Sequence, residues 1–215
     1  MTDPVEAAYE RLRRSRPELF ENPPGAPIEI LPAFPSEEGP YGVLYSDPYI
    51  TLLRDPVRLF DGPVGGYFRV VPSAGHGGAA ILPVYDGRVI LVRHFRHSTR
   101  RWHWEIPRGF SEPGESLEET ARRELEEELK VTAVDLRPLG LIHVDTGLTA
   151  GGSGLFWAAV DTPPNLEEAE EEGIERAILL TAAELGTMQE QGEITDSFTM
   201  GAVLNARQHR LPPFD

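Results

Sequence analysis

The sequence predicts an α+β fold. Three observations carry that prediction: a series of short strand-like segments from residue 41 onward, one strongly signalled helix near the middle, and two helical segments after the last strand. The strand candidates are Tyr49–Leu53, Val57–Phe60, Gly66–Val71, Ala79–Tyr85, Val89–Phe95 and Trp102–Pro107, with Asp86-Gly87 as a tight hairpin turn. Further strands are expected near Arg137–Asp145, Gly154–Val160 and Ile174–Leu180, followed by helices at Thr181–Gln191 and Thr195–Arg210. Ahead of the strands, residues 5–20 read as a short basic helix and residues 22–40, with six prolines, as an irregular arm. The basic helix reads as a surface or dimer-contact helix, or as a phosphate or membrane patch; its shortness and interrupted charges favour the first.

The central helix is justified residue by residue. Ser116 and Glu119 form a capping box behind a Pro113-Gly114 turn, and Glu118 and Glu119 complement the positive end of the helix dipole. Ala121, Leu125 and Leu129 recur every four residues as a packing stripe. Beside the stripe, Glu124, Glu127 and Glu128 share an arc of about 100°. Like charges at i,i+3 and i,i+4 each cost roughly 0.2–0.5 kcal/mol on a helix. Clustering them has a reason if a cation is held there. Arg123, four residues after Glu119 and four before Glu127, can tie both down. The plainer alternative is a solvated acidic helix laced with ion pairs such as Arg122–Glu126.

At 215 residues and 40% hydrophobic, the chain can bury one full core and a small accessory piece. No apolar run reaches the 18 or so residues of a membrane span, and the first residues lack the pattern of a signal peptide, so a cytoplasmic protein is expected. The absence of cysteine excludes disulfides and thiolate metal sites. A net charge of −15 argues against a broad nucleic-acid surface. A small phosphate ester can still bind where a divalent metal and a few arginines supply local positive charge.

The spacing of the glutamates says more. Gly109, Glu115 and the run Arg123-Glu124-Leu125-x-Glu127-Glu128 resemble the signature of the Nudix hydrolases, G-x5-E-x7-R-E-U-x-E-E-x-G-U with U a bulky aliphatic; Val131 supplies the last aliphatic. Lys130 stands where that pattern has its closing glycine; if the position is left-handed, a side chain there costs about 1–2 kcal/mol. Ala79–Val84, Leu91–Arg96, Trp104-Glu105-Ile106-Pro107 and Gly192–Thr199 are similar to the ADP-ribose pyrophosphatase and nucleoside-diphosphate-sugar branch, so the likeness covers roughly residues 45–207.

The resemblance implies an α/β/α sandwich around a central mixed sheet. It divides the chain into a helix and arm at 1–44, a Nudix domain at 45–210 with room for a small N-terminal sheet at 45–75, and a tail at 211–215. It implies Mg²⁺ or Mn²⁺ held by Glu124, Glu127 and Glu128 with the backbone carbonyl of Arg108, and a metal-dependent hydrolysis of the diphosphate linkage in ADP-ribose or another nucleotide sugar. Arg123 would orient Glu127 or Glu115. A loop of the form E-x-E-x-I in some members fits Glu170, Glu172 and Ile174, making Glu170 the candidate base and Glu172 a further metal ligand; the alternative is a solvated acidic loop. Arg93 and Arg96 could grip a diphosphate, or a partner subunit's carboxylate, or lie solvated at a strand edge. Trp104 could stack on a base or simply pack, and Gly109 allows close approach of a ligand. His94, His97 and His103 are poorer metal ligands beside carboxylates suited to a hard cation. Homodimerisation through the N-terminal region is expected on the same grounds.

Two departures leave the base and leaving group open: Thr146 replaces a turn proline, and the loop Thr149–Gly154 lacks the branch's glutamate. The rival functions are a hydrolase of stray nucleoside triphosphates and a non-catalytic nucleotide sensor. Retention of Trp-Glu-x-Pro disfavours the first. Intact box glutamates, no room for a DNA-binding domain and the acidic balance disfavour the second.

Overall fold

The computed structural model describes residues 3–35, 39–60, 62–73, 77–165 and 173–215. The chain divides into two compact units, 1–75 with 145–151, and 76–144 with 152–215.

In the first unit, helix α1 (Pro4–Ser15) is capped by Asp3, whose carboxylate accepts from Val5 N at 2.8 Å. Pro17 cannot continue the helix, so the expected helix over 5–20 stops at Ser15 and a 3₁₀ turn, Pro17–Phe20, follows. The proline-rich arm contributes a short strand, β1 (Ile28–Ile30), and is followed by β2 (Gly42–Ser46), β3 (Ile50–Leu59) and β4 (Val64–Pro72). The two strands expected at 49–53 and 57–60 are a single one, β3, because Pro56 interrupts no ladder bond. β4 runs along one edge of β3, while β2 pairs with residues 51–54 and β1 with 57–59 on the other. Pro56 falls between them; its carbonyl accepts from Leu31 N at 2.8 Å, so its missing N–H faces that same gap. Buried Asp55 accepts from Tyr9 Oη and from Arg69 and ties α1 to this sheet. Residues 148–150 lie along β4, with Val70 N donating to Leu148 O and Ala150 N to Val70 O. That fixes the start of the glycine loop.

In the second unit come β5 (Ala79–Tyr85), β6 (Arg88–Arg96), β7 (Arg101–Glu105), β8 (Arg108–Gly109), helix α2 (Leu117–Leu129), β9 (Ala133–Ile142), β10 (Ser153–Val160), β11 (Ile174–Leu180), α3 (Ala182–Glu190) and α4 (Ser197–Gln208). They form a seven-stranded mixed sheet with the order β11-β6-β5-β10-β9, to which β7 adds beside β6 and β8 beside β5. Only β5 and β10 are parallel. The β5–β6 turn is the expected one: Asp86 and Gly87 both have positive φ, 47° and 68°.

Alternation along the strands sorts the core into two layers. Ala79, Ile81, Ile90, Val92, Phe156 and Ala158 face Ala121, Leu125 and Leu129 of α2. Ala80, Leu82, Val89, Leu91, Leu155 and Trp157 face Leu185 of α3 and Ala202, Val203 and Ala206 of α4. The result is the α/β/α sandwich. Among the described residues, no helix is long and apolar enough to cross a membrane.

Candidate active site

The site is assembled where β8 leaves the sheet and the chain returns as α2. Ser116 caps α2: its Oγ accepts from Glu119 N while Glu119 Oε2 accepts from Ser116 N at 2.8 Å. Glu119 is therefore engaged at the cap, and Arg123 does not reach back to it. Arg123 instead donates to Glu115 (2.9 and 3.0 Å), Glu124 (2.7 Å), Glu127 (2.7 Å) and the carbonyl of Phe110 (2.8 Å). Arg122 pairs with Glu118, one turn toward the N-terminus, and not with Glu126. At its far end α2 stops on Lys130, which is left-handed (φ 54°, ψ 41°) and donates its N–H to the carbonyls of Glu126 and Leu125.

The packing stripe seats α2 so that Glu124 and Glu128 lie inward, 7% and 6% exposed, while the Glu127 side chain is half exposed. Gly109 makes room for this. A Cβ there would lie 2.0 Å from Glu124 Oε1, so only glycine lets that carboxylate rest on the β8 backbone. Of the carbonyls on this stretch, Pro107's accepts from Ile81 N at 3.0 Å and Gly109's abuts Gly78. Strand alternation turns the intervening Arg108 carbonyl the other way.

Burial raises the Glu124 carboxyl above its usual range. It pushes Glu128 to about 8, helped by the Glu124 charge. Glu128 Oε1 accepts from Arg108 N at 3.4 Å, whereas Oε2 is buried without a hydrogen-bond partner. Glu115 behaves oppositely: hydrogen bonding to Arg123 lowers it to about 2.

A second cluster adjoins the first. Glu105, 1% exposed at the end of β7, pairs with Arg96, with Arg108 Nη2 at 3.5 Å and with His94 Nδ1 at 3.4 Å. Arg108 also reaches Asp196 at 3.6 Å, the N-cap of α4, and lies over the Phe198 ring. Burial, then the charges of Arg96 and Arg108, lower His94 to about 4, so it is neutral near pH 7. Arg96 Nε and Arg108 Nε are buried without hydrogen-bond partners.

Glu115, Arg123, Glu124, Glu127 and Glu128 thus come together with Arg108, Gly109 and Arg96. Arg93, three residues from Arg96 on β6, faces the other side of the strand; it pairs with Glu175 and lies over the Trp102 ring at 5.3 Å. Trp104 is packed against the α3–α4 layer with Arg176 over it at 5.2 Å; Trp102, 44% exposed, is the more open aromatic. Glu170 and Glu172 lie outside the described residues. Sequence reasoning assigned no role to Glu105 or Asp196. The signal for Glu105 was the short 97–100 turn, whose register sets Glu105 across from Val92, on the face that also carries His94 and Arg96.

The donor set is all oxygen, two of its carboxylates are buried with raised pKa, and one buried oxygen lacks a partner. These features fit a hard divalent cation. Among the described residues no three His, Asp or Glu side chains converge tightly enough to grip an ion as they stand; Arg123 Nη1 lies within 2.7 Å of both Glu124 and Glu127.

Residues 75–198 match the model of the NUDIX domain. The chain is 32% identical over 129 residues to an ADP-ribose pyrophosphatase of Bacillus subtilis, covering 59% of this chain and 70% of that one. It is 40% identical over 81 residues to an RNA pyrophosphohydrolase of Caulobacter vibrioides, covering 38% of each. The crystal structure of an ADP compounds hydrolase superposes with a TM-score of 0.65 at 21% identity, covering 78% of this chain and 90% of that one, a likeness of fold. The capping box, the glycine beneath Glu124 and the buried glutamate pair lie inside the matched span, and the chain belongs to the Nudix hydrolase family.

Proposed function

We propose that this protein hydrolyses the diphosphate linkage of a nucleoside diphosphate joined to another group, ADP-ribose or a similar nucleotide sugar, releasing two phosphate-bearing products. The observation that carries the reading is the meeting of buried carboxylates (Glu124, Glu128) with two arginines that keep N–H donors free (Arg96, Arg108). One half suits a cation and the other a phosphate. The Bacillus subtilis likeness supports the same reading because it spans 70% of that pyrophosphatase, whereas the RNA pyrophosphohydrolase likeness spans 38% of its protein.

In this reading Glu124 and Glu128, with Glu127 and the carbonyl of Arg108, hold Mg²⁺ or Mn²⁺. When bound, such an ion neutralises diphosphate charge and lowers the pKa of a water. Arg123 keeps Glu115 ionised and draws Glu127 and Glu124 into register. Arg96 and Arg108 offer donors to the phosphoryl oxygens, and Gly109 keeps the backbone accessible. Glu170 is the candidate base and Glu172 a further metal ligand, as the E-x-E-x-I pattern suggests. Arg93, expected at the diphosphate, and Trp104, expected against a base, keep those assignments on the sequence reading alone. A homodimer in the cytoplasm is part of the proposal.

The test is a panel of nucleotide sugars, dinucleotides, nucleoside triphosphates and 5′-triphosphorylated RNA with Mg²⁺ or Mn²⁺ and product identification. Two monophosphates from a nucleotide sugar support the reading. Pyrophosphate released from triphosphates or RNA, or binding without turnover, refutes it.

A further inference from the structure

We propose that Glu105 is the positioning residue for phosphate recognition: from its buried place between Arg96 and Arg108 it sets the direction of both guanidinium groups. The inference rests on the function proposed above for the substrate, and on the geometry for the rest.

Glu105 is a charged residue at the end of a strand, 1% exposed, and a buried carboxylate is costly unless it is paired. Its two oxygens are divided between the two arginines. Oε1 pairs with Arg96 and lies 3.4 Å from His94, and Oε2 lies 3.5 Å from Arg108 Nη2. The arginines arrive from different strands, Arg96 from β6 and Arg108 from β8. The shared carboxylate lies between their guanidinium groups.

A structural ion-pair core would be expected to exhaust its donors. Here Arg96 Nε and Arg108 Nε remain buried without partners, beside Glu128, whose Oε2 is likewise unpartnered. Buried donors left open next to a buried acceptor left open indicate a ligand carrying both signs, a phosphate with its cation. Asp196 meets the same Arg108 Nη2 at 3.6 Å without occupying its Nε.

Glu105→Gln keeps the shape and removes the charge. The experiment measures KM and kcat on the substrate that the wild type turns over, the affinity for inorganic pyrophosphate with excess Mg²⁺ by calorimetry, and urea stability. For Glu105→Gln, KM and the pyrophosphate Kd should each rise about tenfold or more while kcat changes by less than about threefold. Arg96→Gln should have a similar effect, and the double variant should fall short of the product of the two single effects, since part of the Glu105 effect passes through the Arg96 guanidinium. A Glu105→Gln protein that loses stability but keeps wild-type KM and pyrophosphate affinity overturns the proposal, as does multiplication of the two effects. If Glu105→Gln does not fold, Glu105→Asp, one methylene shorter, should weaken pyrophosphate binding severalfold; unchanged affinity in that variant overturns the proposal too. A wild type that does not bind pyrophosphate refutes it outright. Pyrophosphate binding that depends on Glu105 in a protein that turns over no nucleotide sugar leaves this inference standing and sinks the substrate reading.

Discussion

Arg123 and Glu105 do mirror-image work. Arg123 is one cation serving three carboxylates, Glu115, Glu124 and Glu127. Glu105 is one carboxylate serving two guanidinium groups, since His94 is neutral near pH 7. The first cluster is therefore unbalanced toward negative, whereas the second, with Asp196 beside Arg108, sets two carboxylates against two arginines and leaves guanidinium donors open. The two clusters meet at Glu128, which burial and then the charges of Glu124 and Glu105 raise and Arg96 lowers. In the proposed reading the carboxylate surplus of the first suits a cation, and the open guanidinium donors of the second suit its phosphate.

The sharpest way to break this comparison is to empty its meeting point. Glu128→Gln should reduce metal-dependent turnover by at least about 10²-fold, the scale for losing one preorganised electrostatic group. The fold should survive, because a neutral amide is cheaper to bury than the carboxylate it replaces. Steady-state kinetics and circular dichroism decide it; near-normal turnover would remove Glu128 from the site.

Gly109→Ala tests the negative cluster from the backbone side. The added Cβ would collide with the Glu124 carboxylate, which is the free end of a flexible side chain and can swing away. Stability should change by less than about 1 kcal/mol, while turnover falls roughly 10–100-fold as Glu124 leaves its place. If turnover and stability fall in proportion, Gly109 is a packing residue only.

The pH response separates the two clusters. Glu128 is raised from 4.5 to about 8, so its contribution to stability is present below pH 4.5 and lost as pH rises through about 8. Glu115, lowered to about 2, and His94, lowered to about 4, have their windows on the acid side, below 4.5 and below 6.5. Between pH 6.5 and about 8.5 the metal-free protein should thus lose stability, by at most about 1.4 kcal/mol per pH unit, and Glu128→Gln should abolish that slope. Metal affinity should rise over the same window, because the ligand must lose its proton first. Urea titrations in chelator, and calorimetry of Mg²⁺ binding in buffers of different ionisation enthalpy, read the two sides.

Much of the negative cluster was legible in the sequence because it is local. Gly109, Glu115, Arg123, Glu124, Glu127 and Glu128 fall within twenty residues, and helix periodicity relates their directions. What the helix alone could not say is that Arg123 prefers Glu115 to Glu119; the capping box decides that, by taking Glu119 first. The positive cluster was half legible. Arg96 stood out by its charge, but Glu105 becomes a partner only once the register of β6 and β7 is known, and Asp196 only once α4 has packed on the sheet. The sandwich was implied by the family resemblance, and the order of strands and helices agreed with it. Strand β1 was not legible, because three residues in a proline-rich arm carry no periodic signal of their own and pair only because β3 offers an edge.

The end of α2 gives the smallest expected effect. Lys130 occupies a left-handed conformation in which a side chain costs about 1–2 kcal/mol. Lys130→Gly removes that strain. Glycine gives back about 0.4–1 kcal/mol through the unfolded chain, and the lost charge forfeits a few tenths more at the helix C-terminus. A net stabilisation of roughly 0.5 kcal/mol should remain, seen as a small rise in urea midpoint at unchanged m-value. Lys130→Ala, which keeps the Cβ and loses the charge, should instead be slightly destabilising. Turnover should not change in either variant, because Lys130 is exposed and the glutamates are held by the Ala121–Leu125–Leu129 stripe and by Arg123. If Lys130→Gly alters KM or kcat more than about twofold, the helix terminus also sets the position of Glu128, and the clusters are coupled through the end of α2 as well as through their charges.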